Sequence, residues 1–439
     1  MDVDKDTIFA LSSGQGKAGV AVIRLSGSHT RFVFETITHF KLPRPRHAYL
    51  RKLYAADNSV IDSALVLFFE SPYSFTGEDC AEFHIHGGRA VVQALLNCLS
   101  GFEKCRLAQA GEFTRRALKY GKIDLLQAEA LADLIDAETE AQRDLAIKGQ
   151  SGRLRREIED LKQTLLDCMA LVEASIDFSD EGDVTPELTS YIQQIVDSAQ
   201  ERLKKLIIGY DTSERLRRGL RVVLSGPVNA GKSTLINALA GRDVAIVSHI
   251  PGTTRDQIEV HLDLNGWPVT IIDTAGLRET SDEIEIEGIR RRSEAVAQAD
   301  IVLNLCPIGE KHTSIISIDS DALHINIITK TDSAPYLNTE YLGISAKTGL
   351  GLDALLERLT LEAQRLMRIG DTPVVAHLRQ KNGLLNAVNA LDKCKDVITF
   401  PELLAEELRY ISLTLSTLIG TVDNEDVLSQ IFSRFCIGK

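Results

Sequence analysis

Apolar and polar positions follow three rhythms along the chain. In residues 1–119 the apolar runs are short and rich in β-branched residues. Gly19 to Leu25 and Ala64 to Phe69 have the length and composition of strands. Glu82 to His86 alternates, which puts Phe83 and Ile85 on one face and Glu82, His84 and His86 on the other; Gly87 and Gly88 then stop the strand. A helix from Ala90 to Cys98 is expected next. From about Leu118 the rhythm turns helical, with no proline between Pro72 and Pro186. Leu154, Ile158, Leu161, Leu165, Met169, Val172 and Ile176 step by 4, 3, 4, 4, 3 and 4, a mean close to the helical period. The spacing predicts a long helix with one apolar face, ended by the acidic turn Ser179 to Asp183. Another helix is expected from Leu188 to about Ile207.

From Leu220 to about Met367 strand-like and helical segments alternate, the pattern of an open, mostly parallel sheet. Beyond Gly370 the chain is helical again, with Val374, Val375, Leu378, Leu384, Leu385, Val388 and Leu391 apolar. The last 69 residues are too few for a comfortable core of their own. The simplest arrangement packs them on the helices of 120–215. The expected fold is therefore multidomain, α/β and α: an N-terminal α+β domain over 1–119, a discontinuous helical domain over 120–217 and 371–439, and an inserted α/β domain over 218–370.

Composition narrows the setting. The seven cysteines are scattered and never spaced as C-x-x-C, so neither a disulfide framework nor a zinc site is suggested. The start, MDVDKDTIFA, lacks a basic segment followed by an apolar run, and no apolar stretch reaches the roughly 18 residues of a membrane span. A cytoplasmic setting is expected. The net charge of −13 lacks the basic balance of an autonomous nucleic-acid binder, so any action on RNA would use a local patch or a partner. A metal site at His84 and His86 would need further ligands that the sequence does not offer.

The chemistry concentrates in the inserted domain. Gly226-Pro227-Val228-Asn229-Ala230-Gly231-Lys232-Ser233 matches G-x-x-x-x-G-K-[ST], after the strand RVVLS and before the helical run TLINALAG. Its backbone N–H groups and the helix amino end suit phosphate. Lys232 should reach the β- and γ-phosphates, and Ser233 should ligate magnesium. Val269 to Asp273 reads as a buried strand ending in an acid, followed by Thr274-Ala275-Gly276; Asp273 suits the outer sphere of magnesium, and the Gly276 N–H can sense a γ-phosphate. Gly252-Thr253-Thr254-Arg255-Asp256 reads as a switch loop whose threonine completes the magnesium shell while the γ-phosphate is present. In Ile328-Thr329-Lys330-Thr331-Asp332, Asp332 can accept from the guanine N1–H and 2-amino group and Lys330 can cover the base. In Ser345-Ala346-Lys347, the Ala346 N–H can reach the base oxygen. A usual GTPase has Asn where Thr329 stands, so part of that anchoring is expected to be weaker. Leu277 occupies the position of the common water-orienting glutamine and cannot do its work.

GPVNAGKST, GTTRD, DTAGLRE, SAK and the terminal Phe435 to Lys439, together with SFTGED, HGG, GEFTRRA and DLLQAEALADLI, resemble the tRNA-modification GTPase family called MnmE or TrmE, over the whole chain. The resemblance implies a Ras-like P-loop domain whose GTPase activity potassium stimulates and which pairs across the bound nucleotide. It assigns potassium to Asn229, Ser248, Ile250 and Thr253, with Ser248 standing where the family has threonine. Magnesium goes to Ser233 and Thr254, and water orientation to Glu285. Arg255, Asp256 and Arg278 match switch positions. The implied GTP-binding set runs through Asn229, Ala230, Gly231, Lys232, Ser233 and Thr234; Ser248, His249, Ile250, Pro251, Gly252, Thr253 and Thr254; Asp273, Thr274, Ala275 and Gly276; and Thr329, Lys330, Asp332, Ser345, Ala346 and Lys347.

The same resemblance makes the N-terminal domain a dimerisation domain that binds a formyl- or methylene-tetrahydrofolate through Arg24, Glu82, Lys122 and Lys439. Read alone, Arg24 and Lys122 are surface charges. It makes Cys436 a modification-site residue, as nucleophile or as proton donor. It implies a homodimer joined to a flavin-bearing partner (MnmG or GidA) in a heterotetramer. Together they would install a (carboxymethyl)aminomethyl group at C5 of the wobble uridine of certain tRNAs. A ribosome-assembly GTPase switch is the alternative; it explains the nucleotide motifs but not the N-terminal matches or the Cys436 tail.

Overall fold

A computed structural model describes residues 6–14, 16–41, 43–177, 186–246, 259–273, 297–310, 322–336, 341–370 and 372–420, and residues 428, 432, 435 and 438. The chain divides into two units, Met1–Ala132 with Ser416–Lys439, and Asp133–Leu415.

The first unit is built on a six-stranded sheet of order β3-β4-β5-β2-β1-β6. Its strands are β1 (Thr7–Leu11), β2 (Ala18–Ser26), β3 (Tyr49–Tyr54), β4 (Val60–Phe69), β5 (Cys80–Gly87) and β6 (Cys105–Leu107). All pairings are antiparallel except β1 with β6. Helices α1 (Thr30–Thr38) and α2 (Arg89–Ser100) join one apolar face, where Phe34, Phe68, Phe83 and Leu95 are fully buried. The alternation of β5 follows the sequence pattern: Phe83 and Ile85 face the core, while Glu82, His84 and His86 do not. Helices α3 (Glu112–Lys119) and α4 (Leu125–Asp136) follow. The chain end returns to this unit, where Phe432 and Phe435 pack on Ala128 of α4.

In the second unit, α5 (Glu140–Gln150), α6 (Arg153–Asp177), α7 (Pro186–Ile208) and α8 (Tyr210–Arg218) precede a second sheet of order β12-β11-β10-β7-β9-β8. Its strands are β7 (Leu220–Ser225), β8 (Glu259–Leu264), β9 (Trp267–Asp273), β10 (Ile301–Pro307), β11 (Leu323–Thr329) and β12 (Leu342–Gly343). Only β8 with β9 is antiparallel. The central strand β10 is buried at every position, as expected of a parallel strand covered on both faces; its one side-chain amide, Asn304, donates to Asn326 of β11 at 3.0 Å. Helices α9 (Lys232–Ala240) and α10 (Leu352–Met367) belong to this layer; α11 (Leu378–Asp396) and α12 (Pro401–Ile419) follow it.

Helix α6 departs from the expected seam at Met169 and at Ile176, which is only half-buried. Leu154, Ile158, Leu161, Leu165 and Val172 are buried as spaced, but Cys168 turns inward and Met169 is only half-buried. Burial pushes Cys168 up to about 11 and Cys394 of α11, which lies near it, up to about 12, so both behave as small apolar groups. Helices α7 and α11 are tied by Gln200 donating to Asp392 and by Lys395 bridging Gln200 and Asp197. The acidic turn 179–183 lies outside the described residues.

Candidate functional site

Strand β7 lies between β9 and β10, so its carboxyl end opens where the strand order reverses, the usual place for a ligand in an open α/β sheet. The chain leaves β7 at Ser225 and turns into α9 through residues 226–231. Gly226, Asn229 and Gly231 have φ of 148°, 64° and 91°. A Cβ on Gly226 would run into the Leu305 carbonyl of β10, which is why glycine is needed there. Gly231 starts α9, so Lys232, Ser233 and Thr234 stand on its first turn, where unpaired N–H groups favour an anion.

Lys232 is 8% exposed and its Nζ donates to the carbonyls of Gly226 (2.7 Å) and Pro227 (2.9 Å). The ammonium is thus held under the loop that would wrap a phosphate chain. Ser233 Oγ donates to Oδ2 of Asp273 at 3.1 Å, and Asp273 is buried at the end of β9. A hydroxyl and a carboxylate side by side beside a phosphate loop form the oxygen donor set that magnesium prefers. Ser233 and Asp273 fit that ion.

The base-reading candidates meet at the ends of β11 and β12. Thr329 is 4% exposed, and its Oγ1 donates to the Ala230 carbonyl of the phosphate loop at 2.7 Å. Lys330 follows with φ of 59° and is exposed. The exposed Asp332 accepts a 2.8 Å hydrogen bond from Ser345 Oγ, which itself accepts from the Thr348 N–H. That Ser345 hydroxyl, with a smaller contribution from the Lys347 charge, holds the Asp332 carboxyl below its ordinary 3.8. Ala346 is half-buried and Lys347 exposed beside it.

Ser248, His249, Ile250, Pro251, Gly252, Thr253, Thr254, Arg255, Asp256, Thr274, Ala275, Gly276, Leu277, Arg278 and Glu285 lie outside the described residues, as do Cys436 and Lys439. Of the candidate potassium ligands the structure describes Asn229, exposed and left-handed.

In the N-terminal unit Arg24 and Glu82 stand opposite each other on β2 and β5. Arg24 donates from Nε and Nη2 to Glu82 Oε1 at 3.0 and 2.8 Å, and His84 Nε2 lies 3.3 Å from Glu82 Oε2. His86 pairs instead with Asp62, at 2.8 Å. The Arg24 guanidinium lies 5.3 Å from the Phe75 ring centre and 5.9 Å from that of Phe113. These rings belong to SFTGED and GEFTRRA, and nothing in their spacing along the sequence pairs them. The two motifs are cross-tied behind the rings by the buried Arg116, which donates to Glu78 at 2.9 Å and to Glu112 at 3.3 Å. A carboxylate paired with an arginine that lies against two flat rings fits a heteroaromatic group carrying N–H donors. Lys122 follows α3, its stem beside Gly77 of the same loop. At the chain end the Gly438 carbonyl accepts from Ser12 Oγ at 2.9 Å.

Fold and site together define a P-loop nucleotide-binding protein. A family model described as the MnmE helical domain matches residues 125–436, and one described as the GTP-binding protein TrmE N-terminus matches residues 7–122. The tRNA modification GTPase MnmE of Roseobacter denitrificans is 47% identical over 442 residues, covering 99% of this chain and 100% of that one. That of Beijerinckia indica is 46% identical over 437 residues, covering 99% and 96%. The chain belongs to the MnmE family of tRNA modification GTPases. Among solved structures, the G domain of the T. maritima FeoB iron transporter overlaps 33% of this chain and 98% of its own at 24% identity and a TM-score of 0.25. Among the described residues no helix is long and apolar enough to cross a membrane.

Proposed function

We propose that the chain is a GTP hydrolase whose turnover serves modification of the wobble uridine of tRNA. The observation that carries the nucleotide half is the meeting of Ser233 with Asp273 under a glycine turn that buries Lys232. Lys232 and the α9 amino end bind the phosphates, Ser233 and Thr254 hold magnesium, and Asp332 reads guanine. Magnesium, when bound, neutralises charge on the phosphates. Leu277 leaves the water to Glu285, and potassium on Asn229, Ser248, Ile250 and Thr253 supplies the positive charge that an arginine supplies elsewhere.

The modification half rests on family membership and on the Arg24–Glu82 pair, with Arg24 against the Phe75 and Phe113 rings. In this reading those residues, with Lys122 and Lys439, hold a formyl- or methylene-tetrahydrofolate that provides the one-carbon unit. Cys436 acts beside it, and a flavin-bearing partner completes a (carboxymethyl)aminomethyl group at C5. The chain works as a dimer in the cytoplasm, with a discontinuous helical domain around the inserted nucleotide domain; the α7–α11 ties support that arrangement. Switch motion in the nucleotide domain drives the cycle, and hydrolysis is not itself the modification chemistry.

Nucleoside analysis of tRNA from cells lacking the gene tests the reading. A loss of the modified wobble uridine is expected, and an unchanged nucleoside overturns it in favour of a ribosome-assembly role. GTP turnover in sodium should fall below that in potassium; equal rates remove the potassium assignment.

A further inference from the structure

We propose that this chain reads guanine without a side-chain donor at position 329, because the single hydroxyl hydrogen of Thr329 ties the base-reading segment to the phosphate loop. The proposal rests on the GTP reading above and makes it more specific.

Guanine offers two kinds of edge. N1–H and the 2-amino group donate; O6 and N7 accept. In the reading above Asp332 meets the donors and the Ala346 N–H meets O6. N7 then needs a donor, and the residue at the end of β11 is where the usual asparagine stands. An asparagine amide has two N–H bonds and can serve a backbone carbonyl and a ring nitrogen together. A threonine hydroxyl has one hydrogen. Here that hydrogen has a forced direction, because the Ala230 carbonyl can only accept. Both groups are buried, Thr329 at 4% and Ala230 at 0% exposed. Turning the hydroxyl towards N7 would leave that carbonyl buried and unpaired, which costs as much as the new bond returns. Thr329 is therefore a positioning residue, and guanine selection falls on Asp332, held by Ser345, and on the segment Ser345 to Lys347.

The test compares GDP with 7-deaza-GDP, in which N7 is a C–H, by equilibrium binding to the full chain with magnesium. The wild-type protein should bind both within about twofold. Thr329→Asn should bind GDP about 3- to 10-fold tighter than 7-deaza-GDP, the worth of one added hydrogen bond. Thr329→Val, which loses the tie, should weaken both nucleotides by the same factor, and Thr329→Ser should match the wild type. A wild-type preference for GDP over 7-deaza-GDP above about fivefold, the size of a direct hydrogen bond, overturns the proposal. So does a Thr329→Val loss confined to GDP, or a Thr329→Asn protein that does not distinguish the two. Failure of the wild type to bind either nucleotide overturns the GTP reading, and this proposal with it.

Discussion

Asp332 shows how much one hydroxyl decides at the scale of a residue. Its carboxyl lies below 3.8 because Ser345 donates to it. A lowered carboxyl keeps its charge as pH falls, so in the proposed reading guanine recognition by Asp332 would be present above the ordinary value and lost only as pH drops through the lower one. Ser345→Ala should return the carboxyl towards 3.8 and move the acid limb of GDP binding to higher pH. A limb that stays in place in a binding profile against pH would show that Ser345 does not hold the acid. In the proposed reading Glu285 orients the attacking water. Glu285→Ala should keep nucleotide affinity within about threefold and slow hydrolysis by roughly 10²-fold, the usual worth of a positioned acid–base group. Normal single-turnover hydrolysis would reassign the water. Motif spacing picked out Lys232 and Ser233 as candidates because the phosphate loop is local in sequence, whereas the Ser233–Asp273 contact spans 40 positions. It could not show that Thr329 reaches back to Ala230, since that bond spans 99 positions.

Among the elements, α5 is the best case of local chemistry with a distant use. Thr139 and Gln142 cap its amino end reciprocally. The same turn is docked: the Ala141 N–H donates to the Gly266 carbonyl at 3.0 Å, and Gln142 Nε2 donates to the Arg217 carbonyl. Thr139→Ala should cost about 1 kcal/mol, the usual worth of an N-cap side chain. The second unit's unfolding midpoint in urea should drop accordingly, and an unchanged midpoint would mean that the docked backbone bonds alone hold the turn. β5 and α6 follow their apolar spacing because each buries one face. Periodicity misplaced Met169, since positions 168 and 169 are neighbours on the helix rim and Cys168 is the buried one.

On the scale of the whole molecule, the chain end matters to the start. Phe432 and Phe435 are buried with Ala128, and Gly438 is bonded to Ser12. Phe435→Ala should destabilise the N-terminal unit by about 3 kcal/mol through lost burial and the cavity left behind. GTP turnover, which belongs to the other unit, should be unchanged. Thermal unfolding with both units monitored checks this: a stable N-terminal unit, or a turnover that falls with it, would count against the assignment.

By itself the sequence determined the phosphate loop, the guanine candidates, the alternating strand that carries Glu82, and the family. The loop, the strand and each motif depend on residues close together in the chain, where spacing translates directly into geometry, and the family follows from several such motifs along its length. Only the tertiary structure decided that Phe75 and Phe113 frame Arg24, that Arg116 locks their two segments together, and that Thr329 gives its hydroxyl to the phosphate loop. Those contacts join segments that the strand order brings together, and apolar or hydrogen-bonding capacity alone does not name its partner.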